Sequence, residues 1–507
     1  LKPIWLKSCK RLGHGAIRSE RGPLRAMVAR GCFVKRRSGA FTRRFRNEQV
    51  IGSGCSATVV KAVDRSTRQP RAVKIMDKAG SREGAARARR EESIMQALDH
   101  PNILKLYETF CTDDSVCLIT ELCSGGDLYD AVLKVGRFAE PQAADVARQL
   151  LGAVHLLQRC CVSHSDVKPS NVLLCGAPEP QGNNVVKLAD FGSAHIFQPD
   201  IPERSDVWSC GLILRFLLCG AAPFPSKAEN GEAGGPQVHV GSCVFRASEW
   251  SHVSAAAADL TGRLLTRDQS ARWTAERALT HPWLQSRAPP APEVAERALA
   301  GLRAYGRSSA LRRAALEAVA DQLEAGEVED LRAAFTILDA GGDGLLSLED
   351  VQLSLSRLGM DQPEDLCDLL RSLDPDGVGV IEYTTFLASA LQPQRHASAA
   401  AVQAAFRVFD PDGQGGITWK SIWRVLHGCS GAEPPSVNSK AASKVVSLGE
   451  VDRNGDEVID LHTFEEMVRE GGPPPGVGGP RDRAEAAVAE ALTAAAAGAG
   501  AAPPWQG

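Results

Sequence analysis

No stretch of this 507-residue chain approaches the run of about 18 apolar residues that a membrane-spanning helix needs. The best apolar run, Gly211 to Leu218, is short and interrupted by Arg215, which points to a buried helix. Fourteen cysteines are present, yet none belongs to a C-x-x-C framework. In a large chain without a secretory signal, that argues against a disulfide scaffold and favours reduced thiols in the cytoplasm. Strong net charge is missing too. A total of -3 names no partner, and no specific nucleic acid is expected from it.

The small total hides an asymmetry. Residues 1–47 carry fourteen Lys or Arg against one acid, Glu20, which leaves about -16 for the rest. Such a basic leader fits contact with an anionic membrane or nucleic acid, a transit peptide, or a disordered tail. The length allows several domains, and 44% apolar residues suffice to build their cores.

Residues 48–121 alternate short β-rich runs with one helical stretch. Gln49 to Ser53, Ala57 to Val63, Ala72 to Met76 and Val116 to Thr120 read as strands. Ala85 to Leu98 reads as a helix, with His100-Pro101-Asn102 ending it. Residues 127–284 are mainly helical, and Pro289, Pro290 and Pro292 then break the pattern. A helical stretch follows, in which Leu316, Val319 and Leu323 share one face. Residues 471–507 are rich in Gly, Pro and Ala and are expected to be disordered.

Ile51-Gly52-Ser53-Gly54-Cys55-Ser56-Ala57-Thr58-Val59 follows the Gly-rich loop of protein kinases, whose glycines let backbone N–H groups approach phosphates. Ala72-Val73-Lys74 follows in strand context, and Lys74 would neutralise the α- and β-phosphates of ATP. Glu91 would orient Lys74, with Glu92 as the alternative. By position within the resemblance to protein kinases, and on that ground alone, Glu121 and Cys123 fit the hinge beside the adenine, and Asp127 would lie near the ribose. The most specific signal is His164-Ser165-Asp166-Val167-Lys168-Pro169-Ser170-Asn171. Asp166 would accept the substrate hydroxyl proton, Lys168 would stabilise the γ-phosphoryl group, and Asn171 would hold Mg²⁺. Asp190-Phe191-Gly192 adds the second magnesium carboxylate.

With these motifs in place, residues 48–468 resemble the calcium-dependent protein kinases of plants, algae and protists. The likeness continues through Ser205-Asp206-Val207-Trp208, Arg272 and His281-Pro282-Trp283. It implies an α+β bilobal protein kinase fold at 48–284, an autoinhibitory junction at 285–328, and an all-α EF-hand (calmodulin-like) domain at 329–470. In that family the junction helix blocks the kinase until calcium-loaded loops pull it away. A plain connecting helix is the alternative for this stretch.

Two features depart from the kinase pattern. Only thirteen residues separate Gly192 from Asp206, about two dozen fewer than an ordinary activation segment. The A-P-E glutamate is then gone, and Arg272 is expected to lack its partner. Ser165 stands where most such kinases have arginine. Loss of both loop and arginine fits real divergence; a skipped exon explains the deletion but not Ser165.

Four acidic loops recur every 35 to 42 residues, opening at Asp339, Asp374, Asp410 and Asp452. An EF-hand loop needs oxygens at positions 1, 3, 5, 7 and 9, Gly at 6 and a bidentate Glu at 12. The candidate ligands are Asp339, Asp343 and Asp350; Asp374 and Asp376; Asp410 and Asp412; and Asp452, Asn454, Asp456 and Asp460. None of the four has Glu at position 12, where Asp350, Thr385, Ser421 and Thr463 stand. Weak calcium binding and purely structural loops are both open. The apolar position 8 persists as Leu346, Ile381, Ile417 and Ile459, so the loops are expected to pair by short β-bridges.

Two functions follow. One is a calcium-regulated Ser/Thr kinase using ATP, Mg²⁺ and Ca²⁺ on a protein substrate. The other is a scaffold built from a weak kinase fold and EF-hands.

Overall fold

The computed structural model describes residues 34–54, 57–78, 82–177, 184–198, 203–220, 237–240, 243–246, 250–285, 292–324, 326–374, 377–391, 397–410, 413–427 and 458–469. The first lobe is a sheet of β1 (Lys35–Ser38), β2 (Phe45–Ser53), β3 (Ala57–Asp64), β4 (Pro70–Asp77), β5 (Leu106–Cys111) and β6 (Ser115–Thr120), with one helix, α1 (Arg82–Ala97). The spatial order is β1-β5-β6-β4-β3-β2. Neighbours are antiparallel, except that β1 runs parallel to β5. Alternation drives the packing: on β3, Val60 and Ala62 are buried against Val73, Phe110 and Ile119 while their neighbours face outward.

This sheet corrects the boundary of the basic leader. Residues 34–47 do not belong to a disordered tail; they contribute β1 and the start of β2. The reason is electrostatic. Arg37 Nε lies 2.6 Å from Glu108 Oε2, and Arg44 bridges Asp64 and Glu108 at 2.8 Å each. Two of the leader's cations, Arg37 and Arg44, are therefore counter-ions of two largely buried acids. Residues 1–33 and 470–507, where a leader and a tail were expected, lie outside the described residues.

The second lobe is built on α2 (Leu128–Val135) and the long α3 (Glu140–Arg159), which buries Val146, Leu150, Leu151, Val154 and Leu157. Short strands frame the cleft. They are β7 (Val162–Ser163) with β10 (His195–Ile196), and β8 (Val172–Leu174) with β9 (Val186–Leu188). The apolar run at Gly211 is α4 (Ser205–Cys219), a buried helix in which even Arg215 is only 4% exposed. A hairpin of β11 (Gln237–Val240) and β12 (Cys243–Arg246) follows, then α5 (Ala255–Leu264), α6 (Ala275–Leu279) and α7 (Pro282–Gln285). No helix among the described residues is long and apolar enough to cross a membrane.

Two helices occupy the junction. Pro292 opens α8 (Pro292–Gly306), in the first turn, where its missing N–H costs nothing. The Ser309 side chain caps α9 (Ala310–Gln322). Leu316, Val319 and Leu323 are all buried, as their spacing predicts. They share a core with the last third of the chain.

That part comprises α10 (Glu329–Leu338), β13 (Leu346–Ser347), α11 (Leu348–Arg357), α12 (Leu366–Leu373), β14 (Val380–Ile381) and α13 (Tyr383–Ala390). It then repeats the plan with α14 (Ala399–Phe409), β15 (Ile417–Thr418), α15 (Trp419–His427), β16 (Val458–Ile459) and α16 (Leu461–Arg469). Leu346 pairs with Ile381 and Ile417 with Ile459, the bridges expected at position 8. Edge-to-face rings fill each half: Phe335 with Phe386 at 5.2 Å, and Phe406 with Phe464 at 5.7 Å.

Candidate active site and calcium loops

Strand β4 carries Lys74 into the cleft, and α1 carries Glu91 opposite it. Lys74 Nζ lies 2.6 Å from Glu91 Oε1 and 2.6 Å from Asp190 Oδ1. The alternative Glu92 is engaged elsewhere, accepting from Thr109 Oγ1 at 2.6 Å. Burial would lower the Lys74 pKa, but the two carboxylates outweigh it and hold the ammonium above its ordinary value. Asp190 is pulled below its ordinary value, chiefly by Lys74 against the opposing effect of burial. Burial pushes the Glu91 carboxyl up, with Lys74 pulling against it.

Asp190 adopts a left-handed backbone, φ 65, at the start of the short turn Phe191–Ser193. Two contacts fix that turn. Arg87, one helical turn before Glu91, donates from Nε to Gly192 O at 3.0 Å, and the Phe191 ring packs 4.7 Å from the His164 ring. Sequence reading missed Arg87, although its i, i+4 relation to Glu91 puts both on one helix face.

The loop after β7 holds Asp166, Lys168 and Asn171 together. Lys168 Nζ is 2.8 Å from Asp166 Oδ2, and Asn171 Nδ2 donates to Asp166 O and Oδ2 at 2.8 and 2.9 Å. Asp206, buried at the start of α4, braces this loop from below. It accepts from His164 N at 2.7 Å, Ser165 N at 2.9 Å and Ser163 Oγ at 3.2 Å. Ser165 sits at φ 63, and its hydroxyl meets Ser163 Oγ at 2.9 Å and His195 Nδ1 at 3.1 Å. The position usually held by arginine is thus tied to the short segment after Asp190 through a serine hydroxyl and an imidazole.

Around the nucleotide cleft, Gly52 pairs with Val59 in the β2–β3 hairpin, and Gly54 N donates to Ala57 O at 2.9 Å. A Cβ on Gly52 would meet only Val59, at an ordinary 3.6 Å. Protein packing therefore does not by itself require glycine at this position. Ile51 is 46% exposed, and Ala72 lies buried on β4. The side chain of Glu121 turns away from the cleft, to Lys187 Nζ at 3.0 Å and Lys105 N at 2.7 Å. Cys123 is half-buried just after it, while Cys55 lies outside the described residues. Asp127 caps α2 through Asp130 N at 2.9 Å.

The expected orphan Arg272 is not one. It donates to Thr266 O at 2.8 Å, Arg204 O at 2.7 Å and Arg267 O at 3.3 Å, and lies 4.9 Å over the Trp208 ring. Backbone carbonyls and an aromatic face stand in for the missing carboxylate. Glu203 instead turns to Ser205, accepting from its N and Oγ at 3.0 and 2.6 Å.

In the sensor, each described position-1 aspartate gathers loop N–H groups. Asp339 accepts from Gly342, Asp343 and Gly344; Asp374 from Val378 and Gly379; Asp410 from Gln414 and Gly415. Burial and the neighbouring Asp343 push Asp339 up to about 8, and burial pushes Asp343 up to about 6. These oxygens suit a hard cation in type. Asp350 is spent locally: Oδ1 accepts from Gly341 N, and Oδ2 from Ser347 N at 3.0 Å, closing a capping box on α11. Among the described residues, no three acidic, imidazole or thiol groups cluster as a metal site. Asp460 caps α16 through Thr463 N, while Asp376, Asp412, Asp452, Asn454 and Asp456 lie outside the described residues.

The first loop and its partner α13 also touch the kinase. Asp343 O meets His100 Nε2 at 3.0 Å, and Asp343 Oδ2 lies 3.4 Å from His155 Nε2 on α3. Thr384 donates N and Oγ1 to Asp99 at 2.9 and 3.0 Å. The end of α9 reaches the first lobe through Lys105 with Asp321 at 3.3 Å and Arg71 with Glu324 at 3.0 Å.

The cleft brings Lys74, Glu91 and Asp190 together and holds Asp166 beside Lys168, the residue set the protein kinase pattern expects. Residues 45–204 and 199–284 match the protein kinase domain model, in two segments that meet in the shortened activation segment. The chain is 31% identical over 449 residues to calcium-dependent protein kinase 3 of Plasmodium berghei, covering 83% of this chain and 79% of that one. It is 30% identical to calcium-dependent protein kinase 5 of Plasmodium falciparum, over 82% of this chain and 76% of that one. It is 31% identical to calcium-dependent protein kinase 16 of Oryza sativa, over 86% and 82%. The chain belongs to the calcium-dependent protein kinase family. It is a calcium-regulated serine/threonine protein kinase that uses ATP, Mg²⁺ and Ca²⁺, acts on protein substrates and is regulated within the chain by its calmodulin-like domain. The scaffold reading is not favoured.

Proposed function

We propose that Asp166 takes the proton of the substrate hydroxyl while Lys168, 2.8 Å away, stabilises charge on the transferring phosphoryl group. Asn171 and Asp190 would hold Mg²⁺, which supplies charge neutralisation at the phosphates when bound. The fit is chemical: both offer hard oxygens, and the Asp190 side chain remains 46% exposed. Lys74 would meet the α- and β-phosphates, with Ile51, Gly52, Gly54, Val59, Ala72, Cys123 and the Glu121 backbone around the nucleotide. The observation that carries this reading is Lys74 held at 2.6 Å by both Glu91 and Asp190, which links the two lobes at the catalytic metal carboxylate. The test is single-turnover phosphorylation of a Ser/Thr peptide by Asp166→Asn. Retention of the wild-type rate would refute the assigned base.

The docked sensor supports a second assignment. Helices α8 and α9 are buried in the EF-hand core, and the end of α9 contacts Arg71, Lys105 and Tyr107 on the first lobe. We read this arrangement as the released state of the switch, with the junction helix held by the sensor. Calcium-dependent protection of residues 310–322 from hydrogen exchange is expected; equal protection with and without calcium would contradict it. A cytoplasmic location agrees with the lack of a disulfide among the nine cysteines whose side chains are described. A membrane role for the leader rests on the cations of residues 1–33, tested by sedimentation with anionic vesicles at physiological salt.

A further inference from the structure

Helix α14 of the second calcium half lies against the first lobe of the kinase. Lys35 Nζ on β1 donates to Arg407 O at 2.7 Å, and Arg407 Nη1 donates to the Ser66 hydroxyl in the turn after β3. Between these elements is a cavity of about 30 Å³, partly open to solvent. Its wall is cationic. Lys35, Arg37, Arg44 and Arg71 come from the kinase, and Arg407 comes from α14. The acids on the wall are Asp64 and Glu108, which leaves an excess of three positive charges.

Both acids are already shared. Glu108 takes Arg37 and Arg44, at 2.6 and 2.8 Å, and Asp64 takes Arg44 and the Ser66 N–H, each at 2.8 Å. Arg71 turns to Glu324 at 3.0 Å, with its guanidinium 4.1 Å over the Tyr107 ring. Among the described residues, the one side-chain partner shown for the Arg407 guanidinium is the neutral Ser66 hydroxyl. Burial, and then Arg44 and Arg37, hold that guanidinium below its ordinary value against Asp64 and Glu108. Cations of sensor and enzyme thus face each other in a confined space, which is costly without a neutralising partner.

We propose that this cavity binds a single phosphoryl dianion, which bridges Arg407 of the sensor to Arg37 and Arg44 of the first lobe. Guanidinium forks suit a tetrahedral oxyanion because two N–H groups can meet two oxygens. A water needs about 10–15 Å³ of such space, so the cavity admits a compact anionic head and no nucleoside. Two sources share this chemistry: a free inorganic anion and a phosphorylated Ser or Thr side chain. An anion that meets all its partners only when α14 is in place favours the docked sensor by mass action. The site is separate from the nucleotide cleft and uses none of its residues.

The experiment is calorimetric titration of the full chain at constant ionic strength, with calcium and with a chelator. The probes are inorganic sulfate, a phosphate stand-in that millimolar calcium does not precipitate, and O-phosphoserine. Saturable binding of one probe molecule per chain is expected. It should weaken about tenfold or more in Arg407→Gln and in Arg37→Gln, each of which removes one charged fork. The second variant leaves Glu108 paired with Arg44, so the first lobe keeps a counter-ion there. Lys74→Ala should bind the probe as wild type does, which separates this site from the nucleotide cleft. Tighter binding of sulfate points to a free anion as the source, and equal or tighter binding of O-phosphoserine points to a phosphorylated side chain. Hydrogen exchange supplies a second reading: the bound probe should add protection to residues 35–38 and 399–409 together. No saturable binding of either probe in both conditions, binding unchanged in Arg407→Gln, binding lost in Lys74→Ala, or added protection on β1 without α14 would overturn the proposal.

Discussion

The carbonyl oxygen of Asp343, fifth residue of the first calcium loop, lies 3.0 Å from His100 Nε2 in the kinase. Sensor and enzyme thus share a hydrogen bond at the loop itself. The same histidine accepts from Asn102 N at 2.9 Å through Nδ1, which fixes its ring. Gly344 packs against it at φ 77, and a Cβ there would fall 1.9 Å from His100 Nε2. Gly344→Ala is therefore doubly disfavoured, by backbone strain and by the clash, at a cost of about 1–3 kcal/mol. Calcium activation curves should show a higher half-activating calcium concentration for this variant than for wild type.

Lys74 and Glu91 give the second prediction. Glu91→Gln keeps shape and one hydrogen bond but leaves Lys74 with Asp190 as its sole carboxylate partner among those shown. Drawn toward Asp190, the ammonium is less available for phosphate. A fall of about 10²–10³-fold in kcat is expected, the range typical for loss of one preorganised electrostatic contact. Steady-state kinetics at saturating ATP measure it. Glu92→Gln should leave kcat unchanged, because Glu92 faces Thr109.

Arg272 tests how the shortened segment is tolerated. Its guanidinium satisfies three backbone carbonyls and covers Trp208. Arg272→Ala would leave those acceptors short of donors and should destabilise the second lobe by about 1–3 kcal/mol. Urea denaturation followed by Trp fluorescence reads this directly.

Much of the fold was legible because its signals are local. The strands around Ala57, Ala72 and Val116, the helix through Glu91 and the bridges at Leu346, Ile381, Ile417 and Ile459 all appear where alternation or spacing predicts them. Strand β1 was not legible. Lys35 to Ser38 reads as part of a basic tail, and only Glu108, far along the chain, turns it into a strand. In the site, the catalytic residues carry motifs, whereas Arg87 and the carbonyl cage of Arg272 depend on which surfaces meet. The docking of the first loop on His100 and α3 was hidden for the same reason. Nothing near Asp343 in sequence marks a contact 243 residues away.

The Asp64–Arg44 pair predicts a pH dependence. Burial would raise the Asp64 carboxyl, but Arg44 and the bonds from Ser66 prevail and hold it below its ordinary value. A depressed folded-state pKa stabilises above the unfolded value, and the gain is lost as pH falls through the folded one. Asp64→Asn should thus cost about 2 kcal/mol near neutral pH. The difference between variant and wild type should shrink once the pH drops below the ordinary aspartate range. Paired denaturation curves across that acidic interval provide the check.

The most direct measurement is transfer of labelled γ-phosphate from ATP to a Ser/Thr peptide by the full chain, with calcium and with a calcium chelator. Activity that rises with calcium and disappears in Asp166→Asn is predicted. Transfer that is equal in both conditions, or that survives Asp166→Asn, would contradict a calcium-regulated kinase built on this cleft.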